Sequence, residues 1–197
     1  TNNLIPIDKI NLKKYVQTIY PNSDININNE YSITKVYEAA TTLIGQNILE
    51  NGKTMGLASY SKKNKFENLF IDNSPITNFF NHTFIDNENS VTFNGLENKI
   101  TKDINKQNYK FYADKAKHVQ LETQKQSLDL IKKYVKKTNI KNVCLSGGYG
   151  LNVVANNFYL KNLPNVNFYF EPLSDDTGIS IGAAYSIRVN LPFDPTR

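Results

Sequence analysis

The chain has 197 residues, 40% of them hydrophobic and 12% aromatic, so it can bury a core of its own, and this length favours one domain. Its net charge is +5, but the lysines are scattered in short groups typical of loops and solvated helix faces, a pattern that does not favour nucleic-acid binding. No run approaches the about 20 apolar residues of a membrane span, and no signal segment opens the chain, which predicts a cytoplasmic protein without membrane contact.

Cysteine and methionine each occur once in the chain, and each gives a further prediction. Cys144 is the only cysteine, so no internal disulfide can form, and its apolar surroundings predict a buried, inert thiol. The chain begins at Thr1 and its only methionine is Met55, from which we expect a piece of a longer protein.

The first half of the chain predicts one clear helix. Residues 1–30 are interpreted as an irregular lead-in with a short helix near residues 12–20. From Ser32, a candidate N-cap, apolar residues recur at helical spacing up to Gly45, which predicts an amphipathic helix. Residues 52–60 are too rich in glycine for a long helix and too apolar for a solvated loop.

The middle of the chain predicts short strands and then a long helix. Residues 69–71 and 90–93 are β-like, and residues 86–89 are typical of a hairpin turn, so a small antiparallel patch is expected between about 68 and 95. A helix is predicted over residues 111–137. Its buried stripe contains several polar residues and comprises Ala116, Gln120, Thr123, Ser127, Ile131 and Tyr134.

The last third alternates strands and helices. Strands are predicted at residues 142–145 and 166–170, and helices at about 152–160 and 178–189. This alternation favours an α/β domain in which any parallel strands are joined by a right-handed crossover.

The strongest local signal is residues 145–152, LSGGYGLN. A strand that ends in glycines and opens a helix leaves backbone N–H groups free to face an anion. The same glycines could equally make only a tight turn. A dinucleotide-binding turn is a rival, with Glu171 as its ribose-binding acid, but Val153 stands where the third glycine is required.

The second signal is residues 172–184, PLSDDTGISIGAA. Asp175 and Asp176 follow a strand and precede a helix, so they could bind a divalent cation near a phosphate. Taken alone, however, this pattern is more typical of a carboxylate that caps the helix.

Together these segments resemble a known family. Residues 145–156 are similar to the L-A-G-G-V-A-L-N-x-x-x-N motif of the O-carbamoyltransferases that modify nodulation factors and antibiotics, and residues 172–184 to their P-x-x-x-D-x-G-x-x-x-G-A-A motif. Residues 52–60, GKTMGLASY, resemble their G-K-x-M-G-L-A-x-Y stretch. The helix at 32–45 and the A-x-x-x-Q pattern at 116–120 also have counterparts, in the same order.

The resemblance implies a fold and a chemistry. The expected fold is α/β, a ribonuclease-H-like lobe of the actin and sugar-kinase ATPase superfamily. The expected activity is that of an ATP-dependent O-carbamoyltransferase, in which ATP and carbamoyl phosphate give carbamoyl-adenylate and the carbamoyl group passes to an alcohol. The chain is interpreted as the C-terminal half of the adenylate-forming domain, with residues 31–190 as its nucleotide-binding lobe within a single partial domain, 1–197.

The resemblance also assigns site residues. Gly147 and Gly148 would line the nucleotide phosphates, and Asn152 would contact the nucleotide or the carbamoyl group. Asp176 corresponds to a metal-ligand aspartate, for a divalent metal of unknown identity. Lys53 would face the nucleotide pocket, where a cation could offset phosphate charge, and a plain surface lysine is the alternative.

Part of the family pattern is absent. The family's metal site also uses an H-x-x-x-H pair, whereas this chain has only the distant His82 and His118, interpreted as ordinary surface histidines. We therefore expect the chain alone to be inactive and to self-associate through the face that a missing lobe would cover. The alternatives are a non-catalytic nucleotide-binding or assembly module, and a sugar-kinase-like phosphotransferase.

Overall fold

The computed structural model describes residues 25–28, 33–46, 50–71, 74–75, 84–87, 90–93, 108–174 and 177–190. The chain divides into two compact units, Thr1–Lys132 and Lys133–Arg197. The single partial domain expected from the sequence stays a prediction. The short helix predicted near residues 12–20 lies outside these ranges. None of the helices within them is both long and apolar enough to cross a bilayer.

The first unit contains the predicted amphipathic helix as α1 (Ile33–Leu43). The apolar residues that recur there at helical spacing, Ile33, Tyr37, Ala40 and Ile44, are buried, which confirms the predicted periodicity. After the helix, Gly45 has a φ of 81°, a left-handed conformation that glycine adopts without steric cost.

The stretch 52–60 lies mostly in a second, short helix, α2 (Asn51–Ala58), and its last two residues follow that helix. Its buried Thr54 donates a hydrogen bond of 2.8 Å to the hydroxyl of Thr41 on α1. Ala58 joins a core cluster with Ile44, Tyr112 and Ala116. The glycine-rich helix α2 is therefore held in place by two contacts, the hydrogen bond of Thr54 and the packing of Ala58 in the core.

The long helix is α3 (Tyr109–Thr138), close to its predicted bounds. Two polar members of its predicted stripe are buried and satisfied inside the first unit: Gln120 accepts a hydrogen bond of 2.8 Å from the hydroxyl of Tyr37, and Thr123 donates to the carbonyl of Val119. Buried polar side chains are tolerated because they are paired in this way. Ser127 and Tyr134, which the prediction also placed on the buried stripe, are only partly buried.

The antiparallel strands of the first unit extend beyond the predicted ones. β4 (Phe84–Asn87) and β5 (Ser90–Phe93) pair as a hairpin with Asn87 opposite Ser90. β5 also pairs with β1 (Ile25–Asn28), so the irregular lead-in predicted for residues 1–30 is wrong at this segment. The run Ile-Asn-Ile-Asn has the alternation of a strand and could have revealed it.

A separate two-stranded antiparallel pair forms from β2 (Phe70–Ile71) and β3 (Ser74–Pro75). The β-like run predicted at residues 69–71 therefore pairs with its immediate neighbour in sequence and does not join the three-stranded sheet.

The second unit has the predicted alternation. Its elements are β6 (Asn142–Leu145), a 3₁₀ helix (Gly148–Leu151), α4 (Val153–Asn162), β7 (Asn167–Phe170) and α5 (Thr177–Asn190). β6 and β7 pair in parallel, with Leu145 opposite Phe170, so their carboxyl ends lie at one edge. Ligands of open α/β sheets bind at that edge. The residues that follow β6 and β7 are therefore the candidates for a binding site.

Candidate functional site

The glycine turn begins directly after β6. Gly147 has φ 94° and ψ 161°, a combination essentially restricted to glycine. Its carbonyl accepts a hydrogen bond of 2.7 Å from the N–H of Gly150, which closes the turn into the 3₁₀ helix. Glycine at position 147 is therefore required by backbone geometry.

The outer side of the turn is open. Gly147 and Gly148 are exposed, and a Cβ atom added to either would meet no protein atom within 4 Å. Gly148 has no positive φ that would demand glycine. The absence of a side chain at Gly148 leaves open space in front of the backbone, which is what a bound anion needs.

The inner side of the turn is locked to α4. Gly150 is buried, and its carbonyl accepts a hydrogen bond of 2.7 Å from Nδ2 of Asn156. A Cβ on Gly150 would come within 3.4 Å of the carbonyl oxygen of Leu145. The sequence motif included Asn156 without giving it a role, and the structure shows that it holds the turn.

Asn152 is buried and caps α4, because its Oδ1 accepts a hydrogen bond of 3.0 Å from the N–H of Ala155. The side-chain oxygen of Asn152 is thus engaged at the helix start. Contact between Asn152 and a nucleotide or carbamoyl group stays a prediction.

The second motif meets the first at this edge. The hydroxyl of Ser174 donates a hydrogen bond of 3.2 Å to the carbonyl of Gly147, and the N–H of Glu171 donates one of 3.0 Å to the carbonyl of Leu145. The structure therefore brings the segment that follows β7 against the glycine turn that follows β6.

The carboxylate of Glu171 is engaged within its own turn. Oε1 accepts a hydrogen bond of 3.0 Å from the N–H of Leu173, and Oε2 accepts one of 3.2 Å from the hydroxyl of Tyr169. This bond and the carboxylate charge raise the pKa of the Tyr169 phenol above its usual value. Glu171 therefore stabilises the turn, which does not favour the rival role as a ribose-binding acid.

The two candidate metal-binding aspartates, Asp175 and Asp176, lie outside the described residues. The structure in this segment shows instead a close backbone approach at Gly178, where an added Cβ would lie 2.1 Å from the carbonyl oxygen of Leu173. Within the described ranges, no group of three or more His, Cys, Asp or Glu side chains could hold a metal ion.

Lys53 belongs to the first unit, on α2. Its side chain is 62% exposed and pairs with the carboxylate of Glu50, one helical turn earlier. Exposed pairs of this kind contribute little to stability. Its predicted place in a nucleotide pocket stays a prediction.

Two minor expectations are wrong. Cys144 is exposed, because alternate residues of β6 point to a face that no other described segment covers. His118 is not an ordinary surface histidine: its ring stacks on Phe66, and its Nε2 lies 2.7 Å from the carbonyl oxygen of Glu67. Burial lowers the pKa of this histidine. His82 lies outside the described residues.

Comparison with known proteins gives two findings. Residues 8–185 match the family model described as "Carbamoyltransferase N-terminus". The chain is also similar to "Uncharacterized protein sll1178" of Synechocystis, with 36% identity over 74 residues, which are 38% of this chain and 12% of that protein. The similarity thus covers only a small share of that relative's length.

Proposed function

The chain belongs to the family described as carbamoyltransferase N-terminus, and from that premise we propose that its second unit binds the phosphate side of a nucleotide during ATP-dependent O-carbamoyl transfer. The ligand would be ATP or the carbamoyl-adenylate made from ATP and carbamoyl phosphate. The final acceptor would be an alcohol. The O-carbamoyltransferase subtype is part of this proposal.

One observation carries it: the turn at Gly147 and Gly148 is open on its outer side and fixed on its inner side. It lies at the carboxyl edge of a parallel strand pair, the usual ligand edge of an α/β sheet. A rigid turn that presents backbone N–H groups binds phosphate without an ordering cost at the moment of binding.

The fixed side depends on three hydrogen bonds. Asn156 holds the carbonyl of Gly150, Ser174 holds that of Gly147, and Asn152 caps α4. We propose that these side chains act as positioning groups. They would keep the turn in a phosphate-binding geometry while the exposed glycine backbone makes the contact.

A metal is also expected from the family resemblance, with Asp176 as a ligand. The described residues do not supply a full set of metal donors, so we derive no step through a metal. The ribonuclease-H-like fold is likewise proposed; the β6, α4, β7, α5 order and the parallel pairing are compatible with it.

The test is calorimetric titration of the chain with ATP, before and after Gly148→Val. The valine side chain would enter open space, so folding should be retained while anion approach is blocked. We expect ATP affinity to fall by about tenfold or more, since a charge-assisted hydrogen bond contributes roughly 1.5–3 kcal/mol.

Asn157→Val is the matched control, because Asn157 is an exposed residue of α4 in the same unit. It should retain wild-type affinity. Equal ATP affinity in wild type and Gly148→Val, with both proteins folded by circular dichroism, would refute binding at the turn.

A further inference from the structure

A second cleft lies in the first unit, away from the glycine turn in sequence. The segment 61–69 crosses the first half of α3 and leaves a cavity of about 670 Å³, within the ordinary size range of small-molecule pockets. Its lining includes Lys63, Lys65, Phe66, Phe111, Lys115 and His118.

The cleft is held by hydrogen bonds at both ends of this segment. At one end the hydroxyl of Ser61 donates to Oδ1 of Asp114 over 2.5 Å, and at the other the N–H of Leu69 donates to Oε2 of Glu122 over 3.0 Å. Between them, Nε2 of His118 lies 2.7 Å from the carbonyl of Glu67. These contacts link the loop to three successive turns of α3, so the cavity is preformed.

Positive charge converges on this cavity. Its lining residues include three lysines, which outnumber the two carboxylates of Glu67 and Asp114. The carboxylate of Asp114 accepts a hydrogen bond from the Ser61 hydroxyl. Burial and then the charge of Lys63 lower the pKa of the Lys115 ammonium group. Two cations that repel each other in a partly desolvated cleft would both be stabilised by an anion between them.

The walls are aromatic as well as cationic. The rings of Phe66 and His118 stack 4.7 Å apart with an interplanar angle of 14°, and the ammonium group of Lys63 lies 4.9 Å from the centroid of Phe66. Phe111 is 53% exposed and offers an apolar surface next to Lys115. The cleft thus combines an anion-binding group with a wall suited to an organic ring or chain.

We propose that this cleft is a binding site for a small organic phosphate, with the phosphate between Lys63 and Lys115 and the organic part against Phe111. The proposal is independent of the glycine turn, because all of its residues lie in the first unit.

His118 supplies a local probe. The ring nitrogen that faces the Glu67 carbonyl must donate, so Nε2 carries hydrogen and Nδ1 takes up the titrating proton. The chain has only two histidines, and His82→Gln assigns the remaining imidazole signals to His118. An anion in the cleft would offset the effect of Lys115 and Lys63, both of which lower the pKa of His118.

The experiment titrates the full chain with inorganic phosphate and with phenyl phosphate while the His118 imidazole signals are followed by NMR. We expect a saturable shift, a raised His118 pKa, and tighter binding of phenyl phosphate. Sodium chloride at equal ionic strength should produce neither change. A chloride titration that matches phosphate, or a phosphate shift that never saturates, would overturn the proposal.

Variants locate the ligand. Lys115→Gln and the exposed Lys63→Gln should each weaken phosphate binding about tenfold or more, as expected when a charged hydrogen-bond partner is lost. Lys125→Gln is the matched control, because Lys125 is an exposed lysine of α3 that does not line the cleft. Phe111→Ala should remove the preference for phenyl phosphate. Wild-type affinity in folded Lys63→Gln and Lys115→Gln proteins would contradict the assignment.

Discussion

Gly147→Ala tests whether the candidate phosphate turn depends on a backbone conformation that only glycine adopts. With φ 94° and ψ 161°, alanine at this position would be strained by its own backbone. An added Cβ would touch no protein atom within 4 Å, so no packing clash contributes. Residues held in this region cost about 1–3 kcal/mol each, and we expect a loss of that size.

Gly148→Ala is the matched control one residue later. Gly148 is also exposed and also has no protein atom within 4 Å of an added Cβ, but it lacks a positive φ. Its substitution should change the free energy of unfolding by no more than about 0.5 kcal/mol, as for ordinary surface positions. The two variants therefore separate backbone strain from side-chain volume.

Urea denaturation followed by far-UV circular dichroism is the suitable assay, since the chain has no tryptophan for fluorescence. We expect Gly147→Ala to lower the midpoint at an unchanged slope, and to lower the melting temperature by about 2–4 °C per kcal/mol. Hydrogen exchange at the Gly150 amide should localise the loss to the turn. Equal stability of the two alanine variants would refute the strain argument.

Three further substitutions test other contacts. Asn156→Leu removes the buried bond to the Gly150 carbonyl and should cost about 1–3 kcal/mol by urea denaturation, whereas a neutral result would show that the bond does not hold the turn. Gly178→Ala places a Cβ 2.1 Å from the Leu173 carbonyl and should cost about 1–3 kcal/mol, measured by thermal unfolding; an unchanged melting temperature would contradict that close approach. The pKa of His118 is lowered by burial, so its contribution to stability is present above pH 6.5 and is lost as pH falls through that value towards the folded-state pKa. Urea midpoints at pH 8 and pH 5 should therefore differ less in His118→Gln than in wild type, and identical pH profiles would be inconsistent with a half-buried ring whose pKa is lowered.

The sequence by itself determined the elements whose signal is local. Helical periodicity predicted α1 and α3 because one face of α1, and one face of α3 as far as Ile131, is buried. The order of strand, glycines and helix predicted the turn at residues 147–150, since left-handed backbone requires glycine at Gly147. The motifs at residues 145–156 and 172–184 also led to the carbamoyltransferase family, which the comparison with known proteins shows, while the O-carbamoyltransferase subtype stays a proposal.

Only the tertiary structure decided which distant residues meet. β1 pairs with β5 more than sixty residues later, and Ser174 reaches the carbonyl of Gly147 across the end of a parallel strand pair. Alternation within a strand identifies its two faces but does not name its partner, because pairing depends on the path of the intervening chain.

The cleft beside His118 was likewise not predictable from local sequence. Its loop and helix residues are about fifty positions apart in sequence, and no periodicity within either segment connects them. Likewise, an apolar run predicted a buried Cys144, whereas the thiol is exposed. Burial depends on whether another segment packs over a given face of an element. Local sequence does not specify that packing, because it is set by the tertiary structure.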